Sequence, residues 1–251
     1  MEAISLDMNK LTVLTVTTRE GGLDMLAQCL LKQTFKDFEW IIVTNRLDFW
    51  TKRTKLVNKL TLIYDPPKRE GDVNNQHKAW NAGIKHAKGE LIVSIVDLTW
   101  IPADCLQKLW THYELNTKSC ITCVGHQYDS EVDGRPEFEV WKDPRARTDL
   151  GSFYEVLAPE MELCVASFPK KAWEDVGGFD EAYDKGVALG EKEFMARASK
   201  AGYTLYIDQT NEYRAIWHPR LSENHEENYQ RNTQTYLKHI QEIVKGTRLK
   251  I

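Results

Sequence analysis

In the first half of the chain, short β-branched runs alternate with segments whose apolar residues recur at helical spacing, and this alternation limits the possible folds sharply. Residues 11–17 (LTVLTVT) read as a strand. Gly21 and Gly22 then turn the chain, and Leu23, Leu26, Ala27, Leu30 and Leu31 follow at helical spacing. Residues 38–44 and 60–64 read as further strands, the second closed by Pro66-Pro67. Residues 49–58 between them read as a short helix whose Lys52, Arg53 and Lys55 form a solvated face. A helix over 76–87 ends at the basic turn Lys88-Gly89, and residues 90–96 (ELIVSIV) read as a fully buried strand. Pro102 opens a helix carrying Leu106, Leu109, Trp110 and Tyr113, and residues 119–125 give another strand. Strands and helices in this order imply right-handed crossovers on a mostly parallel sheet flanked by helices, an α/β fold. Such sheets bind ligands beyond the carboxyl ends of their strands. The residues that matter most are therefore 17–19, 44–46, Asp65 and 97–99.

The second half has a different texture. Residues 128–150 are polar and turn-rich, with Asp133-Gly134, Pro136 and Pro144, and read as an excursion from the sheet. A strand-like pattern resumes over 158–168, a short helix from Pro169 breaks at Gly177-Gly178, residues 189–201 are helical, and 203–207 form a strand. A polar helix over 222–244, capped by Ser222, ends the pattern. At 251 residues without a repeat or linker, a single two-lobed domain fits best.

Composition removes several classes. Lys plus Arg at 33 against Asp plus Glu at 37 leave a net charge of −4, so no global basic field gathers nucleic acid or anionic lipid. No apolar run reaches the roughly 18 residues of a membrane span, and acids stand where a signal peptide carries a basic start, so the expectation is a cytoplasmic protein. Of the five cysteines only Cys120 and Cys123 show metal-like spacing, and one such pair is half a zinc site; buried thiols are expected.

Five phrases in order resemble a family-2 glycosyltransferase of GT-A fold. They are residues 13–19 (VLTVTTR), 30–43 (LLKQTFKDFEWIIV), 79–93 (AWNAGIKHAKGELIV), 97–102 (DLTWIP), which stands where the family carries Asp-X-Asp, and 176–181 (VGGFDE), which is similar to its acceptor-side turn. The resemblance covers about residues 10–235 and implies one GT-A domain spanning 1–251. A nucleotide-sugar-binding half would occupy about 10–125, and an acceptor-side half with the C-terminal helix would occupy 126–251. Two departures stand out. The second strand ends in Val43-Thr44-Asn45 where the family usually has a uridine-binding acid, and Asp-X-Asp is reduced to Asp97, with Thr99 or Val96 at the second acidic position.

The implied activity is transfer of a sugar, with inversion, from a nucleotide-sugar donor, with UDP expected, to an unidentified hydroxyl. A saccharide, lipid-linked saccharide, protein or nucleic acid remains open as acceptor, as does the oligomeric state. Mn2+ or Mg2+ would neutralise the leaving diphosphate through Asp97, with His218 completing the shell and His225 as its rival. Thr17, Arg19, Asn45, Lys78, Asn81, Asp97 and Thr99 occupy positions that resemble donor contacts. For the base, helical spacing from Glu191 reaches Phe194, Met195 and Ala198, the apolar face, whereas Glu193 reaches Arg197 and Lys200 and reads as a solvated partner. Glu191 is therefore the expected catalytic carboxylate. Two alternatives stand beside this reading. One is a nucleotidyltransferase of similar fold, disfavoured because no Gly-rich phosphate loop follows Thr17; the other is a non-catalytic nucleotide-sugar-binding module, kept open by the missing second acid.

Overall fold

A computed structural model describes residues 10–19, 21–46, 59–132, 135–218 and 224–251. The helix expected over 49–58, with Lys52, Arg53 and Lys55, lies outside them, as does Ser222. The elements run β1 (Leu11–Val16), α1 (Leu23–Lys32), β2 (Phe38–Thr44), β3 (Leu60–Tyr64), α2 (Gln76–His86), β4 (Leu91–Ile95), β5 (Thr99–Trp100), α3 (Cys105–Leu115), β6 (Ser119–Val132), β7 (Arg135–Trp141), β8 (Phe153–Glu155), β9 (Val165–Pro169), α4 (Lys170–Val176), α5 (Gly190–Lys200), β10 (Thr204–Ile216) and α6 (His225–Lys245). One sheet unites the strands in the order β3-β2-β1-β4-β9-β6-β10-β5, with β7 added on β6 and β8 on β10.

The first four positions in that order pair in parallel, as the crossover pattern demands. β9 then inserts antiparallel between β4 and β6. The sheet is buried from both sides, which is why β2 is apolar almost throughout and fully buried. Leu11, Val13, Trp40 and Ile42 pack on one face with Leu26 and Leu30 of α1 and Leu106 and Leu109 of α3. Leu14, Ile41 and Val43 pack on the other with Trp80 and Ile84 of α2 and Phe194 and Met195 of α5. Cys123 belongs to the first layer and Cys120 to the second, so the two thiols, both fully buried, stand on opposite faces and do not share an ion. No helix among the described residues is long and apolar enough to cross a membrane.

Four local readings change, the first being the strand expected over 158–168, which opens with a 3-10 turn at Ala158–Glu160 and becomes a strand only at Val165. Much of the expected excursion over 128–150 belongs to the sheet: β6 runs on to Val132 and β7 (Arg135–Trp141) pairs with it antiparallel, with a register shift beside Tyr128 and Phe138 held at φ 61°, and residues 142–150 lie off the sheet. Polarity misleads here because β7 is largely exposed and has little to bury. The strand expected over 203–207 continues to Ile216, through an irregularity between Asp208 and Tyr213 that a single-period pattern conceals. The final helix starts at His225, after Asn224 at its cap.

Candidate functional site

The carboxyl ends of β1, β2, β3 and β4 open on a cavity of about 620 Å³, within the size range of small-ligand sites. Thr17, Arg19, Asn45, Asp65, Asn75 and Asp97 line it from the first half, and Cys164, Val187 and His218 line it from the second. Asp97 is its best-organised feature. Thr17 donates its hydroxyl to one carboxylate oxygen, and Arg19 Nη1 donates to the other at 2.8 Å. The backbone N–H of Arg19 in turn donates to the Thr17 hydroxyl at 3.2 Å, so both partners are set by one tight turn after β1. Leu98 follows at φ 55°, a left-handed non-glycine position that turns the chain sharply into β5. Gly22 makes that turn possible, because any Cβ there would overlap the backbone of Leu98.

A second carboxyl faces the same space. Asp65, just past β3, is buried and accepts from Asn75 Nδ2 at 2.7 Å. Burial pushes its carboxyl above the usual range. Asn75 Oδ1 is buried without a hydrogen-bond partner, which leaves an acceptor at the cavity wall. Sequence reasoning marked Asp65 by its place after a strand but assigned it no role.

Other expected donor contacts have different work. Lys78 Nζ donates to the Pro67 carbonyl at 2.8 Å and pairs with Asp72 at 3.3 Å, holding the 66–73 loop from behind. Asn81 spends its amide on Phe179, Trp173 and Glu181 and ties α2 to the 173–181 segment. Thr99 is fully buried and donates back to the Asp97 carbonyl at 3.2 Å, so its hydroxyl faces the backbone. None of the three lines the cavity. Their side chains are polar, and in sequence a polar brace looks the same as a polar contact.

The two carboxylates of α5 also separate. Glu191 sits half-buried in the first turn of α5. Its charge adds to burial in raising the Cys164 thiol, to about 12, and the Tyr236 phenol. Cys164 lines the cavity, whereas Glu191 is not among its lining residues. Glu193 is not solvated, contrary to the helical-face expectation; it is fully buried and receives two hydrogen bonds from Arg197 and a third from Arg248 at 3.0 Å. The expectation assumed a single buried face, whereas α6 and the C-terminal segment cover the other side of α5. Among the described residues, the one group of three metal-type side chains whose ligand atoms lie within 4.8 Å of one another is Asp180, Glu193 and His239. Arg248 already supplies its positive charge, pairing with both acids.

The segment before α5 links the two halves. Asp184 is fully buried; its carboxylate accepts from the backbone N–H groups of His77 and Lys78 at the start of α2 and lies 2.8 Å from His77 Nδ1. Its carbonyl accepts from Val73 and Asn74, in the cavity wall. Gly190 packs so closely on the His77 ring that a Cβ would overlap it.

By sequence the chain matches no protein-family model and no curated protein. By structure it is similar to S. aureus TarS 1–349 in complex with UDP, with TM-score 0.61, 14% identity, and 92% of this chain covered against 65% of that one. It is also similar to GalNAc-T7 with UDP, GalNAc and Mn2+, with TM-score 0.67, 13% identity, and 93% of this chain covered against 50% of that one. The fold is that of the GT-A glycosyltransferases. The chain thus spans less than two thirds of the length of either neighbour. In a GT-A sheet the cavity beyond β1 and β4 lies at the carboxyl edge, the ligand side of such folds.

Proposed function

We propose that the chain is a glycosyltransferase of family-2 type that moves a sugar from a UDP-linked donor to an acceptor hydroxyl with inversion. The carrying observation is Asp97, held by Thr17 and Arg19 on the wall of a cavity to which both halves of the chain contribute. Thr17, Arg19, Asn45 and Asp65 form the nucleoside and diphosphate side. Asn45, an amide, both donates and accepts, and Asp65 restores at the end of β3 the carboxyl missing from the end of β2. Lys78, Asn81 and Thr99 support this wall from outside.

Asp97 and His218 supply one oxygen and one nitrogen ligand on the same cavity, a set that suits Mn2+ or Mg2+ once diphosphate oxygens complete it. The ion would neutralise the leaving diphosphate. Without it Arg19 and Lys68, both on the cavity wall, are the cations at hand. Glu191, on the acceptor side, takes the proton of the attacking hydroxyl.

Calorimetric titration of UDP, with Mn2+ and with chelator, tests the donor half in wild type and Asp97→Asn. The expected result is tighter UDP binding with Mn2+ in wild type alone. Equal affinity in chelator removes the metal, and no UDP binding at all overturns the reading. Glu191→Gln should lower kcat by roughly 10²–10⁴-fold at unchanged donor affinity, the usual worth of a general base. The lone acid at the Asp-X-Asp position favours one rival, a binding module, and tight UDP-sugar binding by the wild type with no turnover on any acceptor would establish it.

A further inference from the structure

Between the 3-10 turn at Glu181–Lys185 and α5 the backbone takes a costly path. Ala188 and Leu189 lie at φ 59° and 70°, two adjacent non-glycine residues in the left-handed region. There Cβ crowds the following carbonyl, so such a pair persists only where its surroundings hold it. Leu189 is buried, but the Ala188 side chain is exposed and packing alone does not fix it.

Asn74 Nδ2, in the cavity wall, donates to Gly186 O at the start of this loop, and what holds the Ala188 end comes from α6. Asn232, 1% exposed, spends both hydrogens of its amide nitrogen on this loop, donating to Tyr183 O at 3.0 Å and Ala188 O at 2.9 Å. Val187 N donates to Asn228 O one turn earlier on the same helix. Gly186 fits only because it lacks a Cβ, which would overlap Asn232 and the Asn228 carbonyl. The clamped loop leads into the first turn of α5, where Glu191 stands.

We propose that Asn232 is a positioning residue for Glu191. Its amide bridges two carbonyls, prevents the left-handed pair from relaxing, and fixes the direction from which α5 begins. If Ala188 or Leu189 moved to the right-handed or extended region, the first turn of α5 would rotate and carry the carboxylate with it. This inference rests on the reading of Glu191 as the base. It also explains why an amide, not a carboxylate, is required at 232, since both partners are acceptors.

The test compares wild type, Asn232→Ala, Asn232→Asp, Asn232→Ala with Ala188→Gly, and Glu191→Gln. It measures UDP-sugar turnover, UDP affinity, and hydrogen exchange over residues 186–191. Asn232→Ala and Asn232→Asp should each lower kcat at least tenfold while UDP affinity stays within twofold, and exchange over 186–191 should rise. Ala188→Gly on the alanine background should return most of the lost kcat, because glycine enters the left-handed region without a clamp. Unchanged kcat or unchanged exchange in Asn232→Ala overturns the inference, as does UDP affinity that falls in step with kcat. So does the absence of rescue by Ala188→Gly. Full turnover in Glu191→Gln instead removes the base assignment, a failure distinct from that of the clamp.

Discussion

Two carboxylate–guanidinium pairs in this molecule share a chemistry and differ in company. At the cavity, Asp97 is paired with Arg19, whose side chain keeps 28% of its surface exposed. Behind α5, Glu193 and Arg197 are both fully buried, and Arg197 also donates to the carbonyls of Val176 at 2.6 Å and Gly178 at 2.9 Å. The second pair is saturated: every strong donor has an acceptor within the fold, and Arg248 closes the remaining side. The first has an open flank toward the cavity, so an incoming phosphate or cation can take over either partner. Ion pairing by itself does not mark a site; room for a third charge does.

The largest effect should come from breaking the saturated pair. Arg197→Ala leaves Glu193 buried with only Arg248, and should cost about 3–5 kcal/mol, the usual penalty for orphaning a buried charge. Urea denaturation would measure this, while UDP affinity of the folded fraction stays unchanged. A loss below about 1 kcal/mol would mean that the two pairs are energetically alike. At the open pair, Arg19→Ala should weaken metal-free UDP binding by about tenfold, the worth of one charge-assisted hydrogen bond, and at the same time strengthen Mn2+ binding, since the guanidinium no longer competes for Asp97. Calorimetry with and without Mn2+ reads both signs, and a parallel loss of both would place Arg19 in a purely structural role.

The smallest effect tests the saturated cluster by pH. Burial, with the neighbouring Arg248 charge, holds His239 below the usual histidine range. The folded state therefore favours the neutral ring, so its contribution is present above about pH 6.5 and is lost as pH falls through the lowered pKa. Thermal unfolding of wild type should show a modest acid loss that His239→Gln reduces. An equal slope in both proteins would show that the cluster tolerates another positive charge.

The cavity wall built by the first half was legible in sequence because strands buried on both faces are plain apolar runs and the chain turns immediately after them. The strand-end rule placed Thr17, Arg19, Asn45, Asp65 and Asp97 on that wall, and also Thr99, which does not line it. The second half was not, because its information is distributed. Glu193 looks solvated until a helix some 40 residues later covers it, and β7 looks like a loop since it buries so little. Lys78 and Asn81 show the same limit at side-chain scale: the sequence displays their polarity, whereas their direction depends on Asp72 and Phe179, brought near by the fold. Asn232 carried no signal at all, being one amide on a polar helix.

Asp184 has one more consequence. Its carboxylate holds the start of α2 and its carbonyl holds Val73 and Asn74 of the cavity wall, while the stretch it begins runs through Val187 to Glu191. A ligand that stiffens residues 65–76 therefore restrains the segment on which an acceptor would rest. Occupancy on one side should then favour occupancy on the other, and linkage makes the gain reciprocal: whatever factor UDP adds to acceptor affinity, the acceptor returns to UDP.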